Sequence, residues 1–168
     1  MRPREHVVYG GLAAAALYPA LGAGSLLFWT ASVAIDFDHY LDYIWHNRFT
    51  DFSFKGMFEY HRLINRKWHS PEFLNVELFH TVEFIVPLFS AAHFTGSAPL
   101  FAVCMGLVFH ILLDLVSLFK NGIGTARAHS LPEYFIRKKM LEARGLDPAG
   151  LYTEAARMTR EGFCRDGR

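Results

Sequence analysis

Residues 100–119 read LFAVCMGLVFHILLDLVSLF, an apolar run that nevertheless carries a histidine and an aspartate, His110 and Asp114. About 20 largely apolar residues suffice to cross a bilayer as a helix, and ionisable groups inside such a run are costly enough to be read as functional. Working outward, no Lys or Arg occurs anywhere from Trp68 to Phe119. The breaker series Thr95-Gly96-Ser97-Ala98-Pro99 divides that stretch into 73–94 and 100–119. A second stretch, 5–47, is equally free of positive charge, and Pro19 with Leu21-Gly22-Ala23-Gly24 forms its natural turn. Each stretch predicts a helical hairpin.

All seventeen Lys and Arg fall in three places: Arg2 and Arg4, the segment 48–67, and Lys120 onward. With four crossings, these three places lie on one side of the membrane, and the positive-inside rule makes that side the cytoplasm. The expected protein is therefore all-α, an integral bundle of about four short transmembrane helices with a cytoplasmic amphipathic helical tail. It is multi-pass in the inner (cytoplasmic) membrane, with both termini cytoplasmic. Residues 1–120 form the membrane-embedded metal-binding domain and 121–168 the basic helical tail. The first helix, about 5–18, is short for a full span and could tilt or be re-entrant. A cleaved signal peptide is not expected, because apolar character continues past the usual signal length. The competing reading is a soluble helical bundle, which 20% charged residues would also suit.

Outside the apolar stretches, 52–68 mixes aromatics with Lys55, Arg62, Arg66 and Lys67 and suits an interfacial helix or loop. Residues 131–144 predict a basic amphipathic helix, and Asp147-Pro148 reads as an N-cap with proline at the first helical position. A net charge near +1, without a basic face or stripe, gives no ground for a nucleic-acid partner; membrane lipid is the expected partner. Cys104 and Cys164 are the two cysteines, too few for a disulfide framework or a four-cysteine zinc site. Any metal must be held by His, Asp and Glu.

Those residues are arranged for it. The second helix is expected to end with Asp36-Phe37-Asp38-His39-Tyr40-Leu41-Asp42, the third to open with His80-Thr81-Val82-Glu83, and the fourth to carry His110 and Asp114. Spacings of three and four put Asp36 with His39, Asp38 with Asp42, His80 with Glu83 and His110 with Asp114 on common helical faces. The topology drawn from Lys and Arg used none of these residues, yet it places them all, together with His6, in the cytoplasmic half. Metal sites in helical bundles need that common level. The candidate ligands are His6, Asp36, Asp38, His39, His80, Glu83, His110 and Asp114. Mixed nitrogen and oxygen donors suit zinc first, with iron or manganese also possible, and the number of carboxylates leaves room for two or three ions.

At these residues the chain resembles the YdjM-like family of inner-membrane metal-dependent hydrolases, which is distantly similar in helical pattern to zinc-dependent phospholipase C and the single-strand nucleases. The resemblance rests on His6, on Asp36-x-Asp38-His39, on His80 opening a helix and on His110-x-x-x-Asp114, and it covers about 5–120. A compact His-Arg-Gly-x-Thr-His-Ser segment common in that family is missing: His61-Arg62 and His69-Ser70 stand farther apart here. The resemblance implies a phosphoester hydrolase acting on a phospholipid or another phosphorylated amphiphile, with Asp38 or Glu83 as general base or extra ligand. Two other classes use the same residues: a non-catalytic metal-binding membrane protein such as a sensor or structural partner, with closed coordination, and an ion transporter. A bis-histidine haem bundle has no use for so many carboxylates.

Overall fold

A computed structural model describes residues 3–166; Met1, Arg2 and the last two residues lie outside it, as do the side chains of 163–166, including Cys164. The chain is mostly helical. In order it forms α1 (Pro3–Leu21), α2 (Gly24–Ala34), α3 (Phe37–His46), α4 (Phe54–Asn65), β1 (Asn75–Val76), a 3-10 turn (Leu78–His80), α5 (Val82–Thr95), α6 (Ala98–Lys120), β2 (Arg127–Ala128), α7 (Leu131–Glu142) and α8 (Pro148–Asp166).

Contacts divide the chain into two compact units, each discontinuous in sequence: Met1–Asp36 with Leu78–Gly124, and Phe37–Glu77 with Thr125–Arg168. The sequence reading had a boundary near 120 and none at 36 or 77.

The first unit holds α1, α2, α5 and α6. Its two turns fall where the breakers stand, because Gly22 and Gly96 adopt left-handed φ values of 53° and 62° that a Cβ would resist. Ser97 caps α6 by accepting from the Leu100 amide at 3.4 Å. Helix α2 packs on both α1 and α6, and α5 packs on α6. Ala31, Ile35 and Leu107 form the buried core, with Phe84, Leu88 and Ile111 against it.

Small residues set how closely these helices approach. A Cβ on Gly106 would lie 2.2 Å from the Phe28 carbonyl oxygen, and one on Gly10 would lie 2.5 Å from Ser32 Oγ. Close backbone approach through glycine is the packing mode of apolar helices that have no large interlocking side chains. One turn beyond Gly106 is His110, one turn beyond Phe28 is Ser32, and one turn before Gly10 is His6. The glycines therefore fix the register in which the ionisable residues meet. Gly106→Ala is expected to lower stability by about 1–3 kcal/mol, since its contact is with rigid backbone. Thermal unfolding in detergent measures this, and an unchanged midpoint would show that α2 and α6 do not meet there.

By length and composition α6 is, among the described residues, the one helix long and apolar enough to cross a membrane. Helices α2 and α5, with 11 and 14 residues, extend about 16 and 21 Å at 1.5 Å per residue, well short of a hydrocarbon core of about 30 Å. The reason for α2 is an interruption the sequence reading did not expect. The helix ends at Ala34, the chain turns at Ile35-Asp36, and α3 starts afresh at Phe37.

The second unit holds α3, α4, α7, α8 and the two short strands, which pair in parallel with Asn75 opposite Arg127 and Val76 opposite Ala128. Tyr43, Tyr60, Ile64, Leu74, Tyr152 and Ala156 are buried within it. Helix α4 is capped by Ser53, whose Oγ accepts from the Gly56 amide at 3.1 Å. The expected cap at Asp147-Pro148 is formed: Asp147 Oδ1 accepts from the Gly150 amide at 2.9 Å.

Candidate metal centre

The first unit gathers Asp36, His80, His110 and Asp114, each offering one ligand atom, with these atoms all within 4.8 Å of one another. Three elements deliver them: the turn after α2, the 3-10 turn before α5, and α6, which carries His110 and Asp114 on successive turns. His6 of α1 joins this group, with its Nε2 3.2 Å from Asp114 Oδ1 and its ring stacked on His110 at 3.9 Å between centroids. His6, His80, His110 and Asp114 are buried, whereas the Asp36 side chain is 22% exposed.

Charge and proton placement in this group call for a cation. His110 Nδ1 lies 2.7 Å from the Ser32 carbonyl oxygen, which can only accept, so Nδ1 carries a proton. In the neutral ring the lone pair is then on Nε2, which sits 3.2 Å from Asp36 Oδ1 and 3.6 Å from Asp114 Oδ2. A lone pair facing two carboxylates is repelled unless a proton or a metal cation lies among them. Nε2 is buried and makes no hydrogen bond, and His6 Nδ1 is likewise buried without one; buried polar atoms of this kind need an explanation. A ring whose other nitrogen donates to a backbone carbonyl is how proteins orient a metal-ligating histidine. These buried His and Asp groups could hold a metal ion.

The second unit assembles another set, Asp38, His39 and Glu77, again with ligand atoms within 4.8 Å of one another. Here the anion is already matched. Arg127 Nη2 lies 2.6 Å from Glu77 Oε2, and Asn75 Nδ2 donates to Glu77 Oε1 at 2.7 Å, while His39 Nδ1 stands 3.5 Å from that same oxygen. The β1–β2 pairing puts Asn75 opposite Arg127 and so delivers both groups to Glu77. The backbone oxygen of His39 engages His61 Nε2 at 2.8 Å. Burial, aided by the nearby charge of His39, pushes the His61 imidazole down to about 4.

The interruption at Ile35-Asp36 corrects one part of the sequence reading. Asp36 and His39 were expected on one helical face, but Asp36 precedes α3 and falls in the first set, and His39 falls in the second with Asp38. The His80–Glu83 pairing also fails as drawn, because His80 ends a 3-10 turn, Thr81 is extended, and of the two only Glu83 lies in α5. Glu83 is exposed and belongs to neither set. Asp42 pairs with His46 rather than Asp38, its Oδ1 3.0 Å from His46 Nδ1, and it accepts from the Tyr60 hydroxyl at 3.0 Å. Glu77, Arg127 and Ser32 were missed. Glu77 carried a usable signal, an acid three residues before His80 in a stretch without positive charge. A backbone carbonyl such as that of Ser32 leaves no mark in a sequence.

The Asp42–His46 pair makes a pH prediction. Burial pushes Asp42 up, but the His46 hydrogen bond and charge, with His61 and Tyr60, outweigh it and hold Asp42 below its ordinary 3.8. Burial pushes His46 down, and Asp42 outweighs that, holding it above 6.5. Stability from the depressed Asp42 is present above pH 3.8 and lost as pH falls further; stability from the raised His46 is full below pH 6.5 and lost as pH climbs through its elevated value. The pair therefore stabilises most between those limits. In His46→Gln the decline in unfolding midpoint above pH 6.5 is expected to flatten, and superimposable pH profiles would remove the pair from the account.

No protein-family model matches this chain, and no curated protein and no solved structure matches it significantly.

Proposed function

We propose that this protein is a metal-dependent hydrolase of the inner membrane, acting on phosphoester bonds of a phospholipid or another phosphorylated amphiphile, as its resemblance to the YdjM-like family implies. The observation that carries the reading is the buried meeting of His80, His110, Asp36 and Asp114 within 4.8 Å, with His6 alongside. Three imidazoles and two carboxylates are the donor set of a zinc site, and zinc is the first choice of ion. When bound, such an ion supplies Lewis-acid polarisation of a phosphoryl oxygen and activation of water.

The chain's own residues have separable parts. Ser32 orients His110, stacking on His110 orients His6, and Asp114 presents one oxygen toward His6 and the other toward His80 and His110. Asp36 is the ligand with access to solvent, and Asp38 and Glu83, to which the resemblance gave the proton-accepting part, lie outside the set. Substrate enters from that side.

Membrane insertion is part of the proposal. The apolar helices expose Val8, Leu12, Leu26, Val86, Phe94, Leu112, Val116 and Phe119, and exposed apolar side chains on apolar helices suit contact with lipid. Helix α6 crosses, α1 crosses with tilt, and α2 and α5 insert as shorter segments with local bilayer thinning. Both termini then lie in the cytoplasm with the Lys and Arg. A second reading, a non-catalytic metal-binding protein, is favoured by the near-complete burial of four of the five ligands.

Elemental analysis of the full chain purified in detergent, followed by assay on phospholipid and on bis-p-nitrophenyl phosphate, tests the proposal. Bound metal is expected, with hydrolysis lost on chelation and restored by zinc. Absence of metal would end both readings, and metal without hydrolysis would leave the binding protein.

A further inference from the structure

The second unit contains a cavity of about 410 Å3 lined by Trp45, His46, Arg48, Phe49, Thr153 and Arg160, within the size range of small-ligand sites. Three of its six lining side chains carry basic nitrogen and none is acidic. Arg62, Arg127, Arg137 and Arg157 each meet a carboxylate, whereas the guanidiniums of Arg48 and Arg160 have neither an ion pair nor a hydrogen bond among the described residues. His46 has its Nδ1 engaged by Asp42, so its Nε2 is the nitrogen left for a ligand.

The backbone beneath these groups is unusual. Arg48 and Phe49 are consecutive non-glycine residues with left-handed φ values of 61° and 59°, a conformation costing about 1–3 kcal/mol at each position unless the surroundings enforce it. Buried Asn47 does the enforcing. Its Nδ2 donates to the Asp51 carbonyl at 2.6 Å and its Oδ1 accepts from the Thr50 amide at 3.0 Å, while Thr50 Oγ1 donates back to the Asn47 carbonyl at 2.7 Å. The loop thus holds one arginine and one aromatic ring at the cavity in a fixed, strained geometry, facing the arginine of α8. Trp45 and Phe49 are 70% and 59% exposed, a large apolar cost in water that a bound ligand would offset.

We propose that this cavity binds a phosphoryl anion bearing an apolar substituent, with Arg48, Arg160 and the protonated ring of His46 donating to the phosphate oxygens and Trp45 and Phe49 covering the apolar part. Three cationic or donor groups match the three oxygens and double charge of a phosphate monoester, whereas a carboxylate offers two oxygens and one charge. The same chemistry could arrive as a soluble ester or as a lipid headgroup. The site is independent of the metal centre.

Calorimetric titration of the full chain in a neutral detergent, using phenyl phosphate, inorganic phosphate and benzoate as probes, tests it. Phenyl phosphate is expected to bind at least about tenfold tighter than benzoate or inorganic phosphate, with Arg48→Met and Arg160→Met each weakening it about tenfold or more. Arg144→Met, an exposed charge elsewhere, and Asp114→Ala, in the metal centre, are expected to bind as the parent does. Should Arg160→Met unfold, Arg48→Met still decides, because the Arg48 side chain is exposed and makes no ion pair or hydrogen bond among the described residues. The source is read from nanodiscs of phosphatidylcholine with and without phosphatidic acid: weaker phenyl phosphate binding in the acidic discs assigns the site to lipid, and unchanged binding assigns it to a soluble ester. Failure of phenyl phosphate to bind in detergent, or equal binding by Arg48→Met and Arg144→Met, would overturn the proposal whatever the metal centre does.

Discussion

Asp114→Ala protein is expected to purify with its metal affinity reduced by about 100-fold or more, the largest functional effect of any single change in the chain. Losing an outer-shell partner of a metal site already costs about 10–100-fold, and Asp114 stands nearer the centre than that. Its two oxygens lie 3.2 Å from His6 Nε2, 3.6 Å from His110 Nε2 and 3.9 Å from His80 Nε2, so removing it leaves three imidazoles and one carboxylate with no bridging anion. Elemental analysis and competition with a chromogenic chelator give the affinity, and circular dichroism shows whether the helices persist. Asp114→Asn, which keeps the shape and one acceptor but loses the charge, is expected to fall between the two. Equal metal content in parent and Asp114→Ala would remove the centre altogether.

The largest effect on stability is expected at Arg127→Met. Arg127 and Glu77 are both buried, and they meet at 2.6 Å. A buried pair contributes little net stability compared with apolar residues of the same shape, yet removing one partner strands the other charge and costs about 3–5 kcal/mol. The unfolding midpoint of Arg127→Met should fall accordingly, and adding Glu77→Gln to it should recover a large part of the loss, which a double-mutant cycle would register as coupling. Arg127 also neutralises the carboxylate that Asp38 and His39 would need in order to bind a cation. Zinc should therefore stabilise Arg127→Met more than it stabilises the parent. Additive losses in the double variant would show that the pair is not coupled.

How much of this could be seen in the sequence depends on whether a helix runs unbroken through the residues concerned. His110 and Asp114 sit in the middle of α6, where a spacing of four does place both on one face, and the apolar run announced that helix plainly. The turns at Gly22 and Gly96 were legible because glycine, lacking a Cβ, adopts their left-handed φ values without steric cost and so marks turns in a sequence. The break at Ile35-Asp36 was not, since it contains neither glycine nor proline to mark it. The assignment of Asp36 and His39 to different sets turns on that one interruption. The two-residue strands were equally silent, because two residues carry no alternation to read, and with them went Glu77 and Arg127. His6, by contrast, was set at the level of the other candidate ligands from charge distribution alone, a signal that owes nothing to local conformation, and the structure puts it against Asp114.

The partner of His110 is a main-chain oxygen, and this changes where mutational sensitivity should be found. At position 32 the carbonyl remains when the hydroxyl is removed, so Ser32→Ala leaves the imidazole's tautomer as it was, whereas a larger side chain would press on Gly10. What can displace the acceptor is a change in the distance between two helix axes, and that distance is set by the absence of a methyl group at Gly106. Removing the hydroxyl at the contact itself would thus be tolerated while adding a methyl group a full turn away would not, and the orientation of the ring would be inherited from the spacing of the scaffold rather than from a replaceable side-chain group.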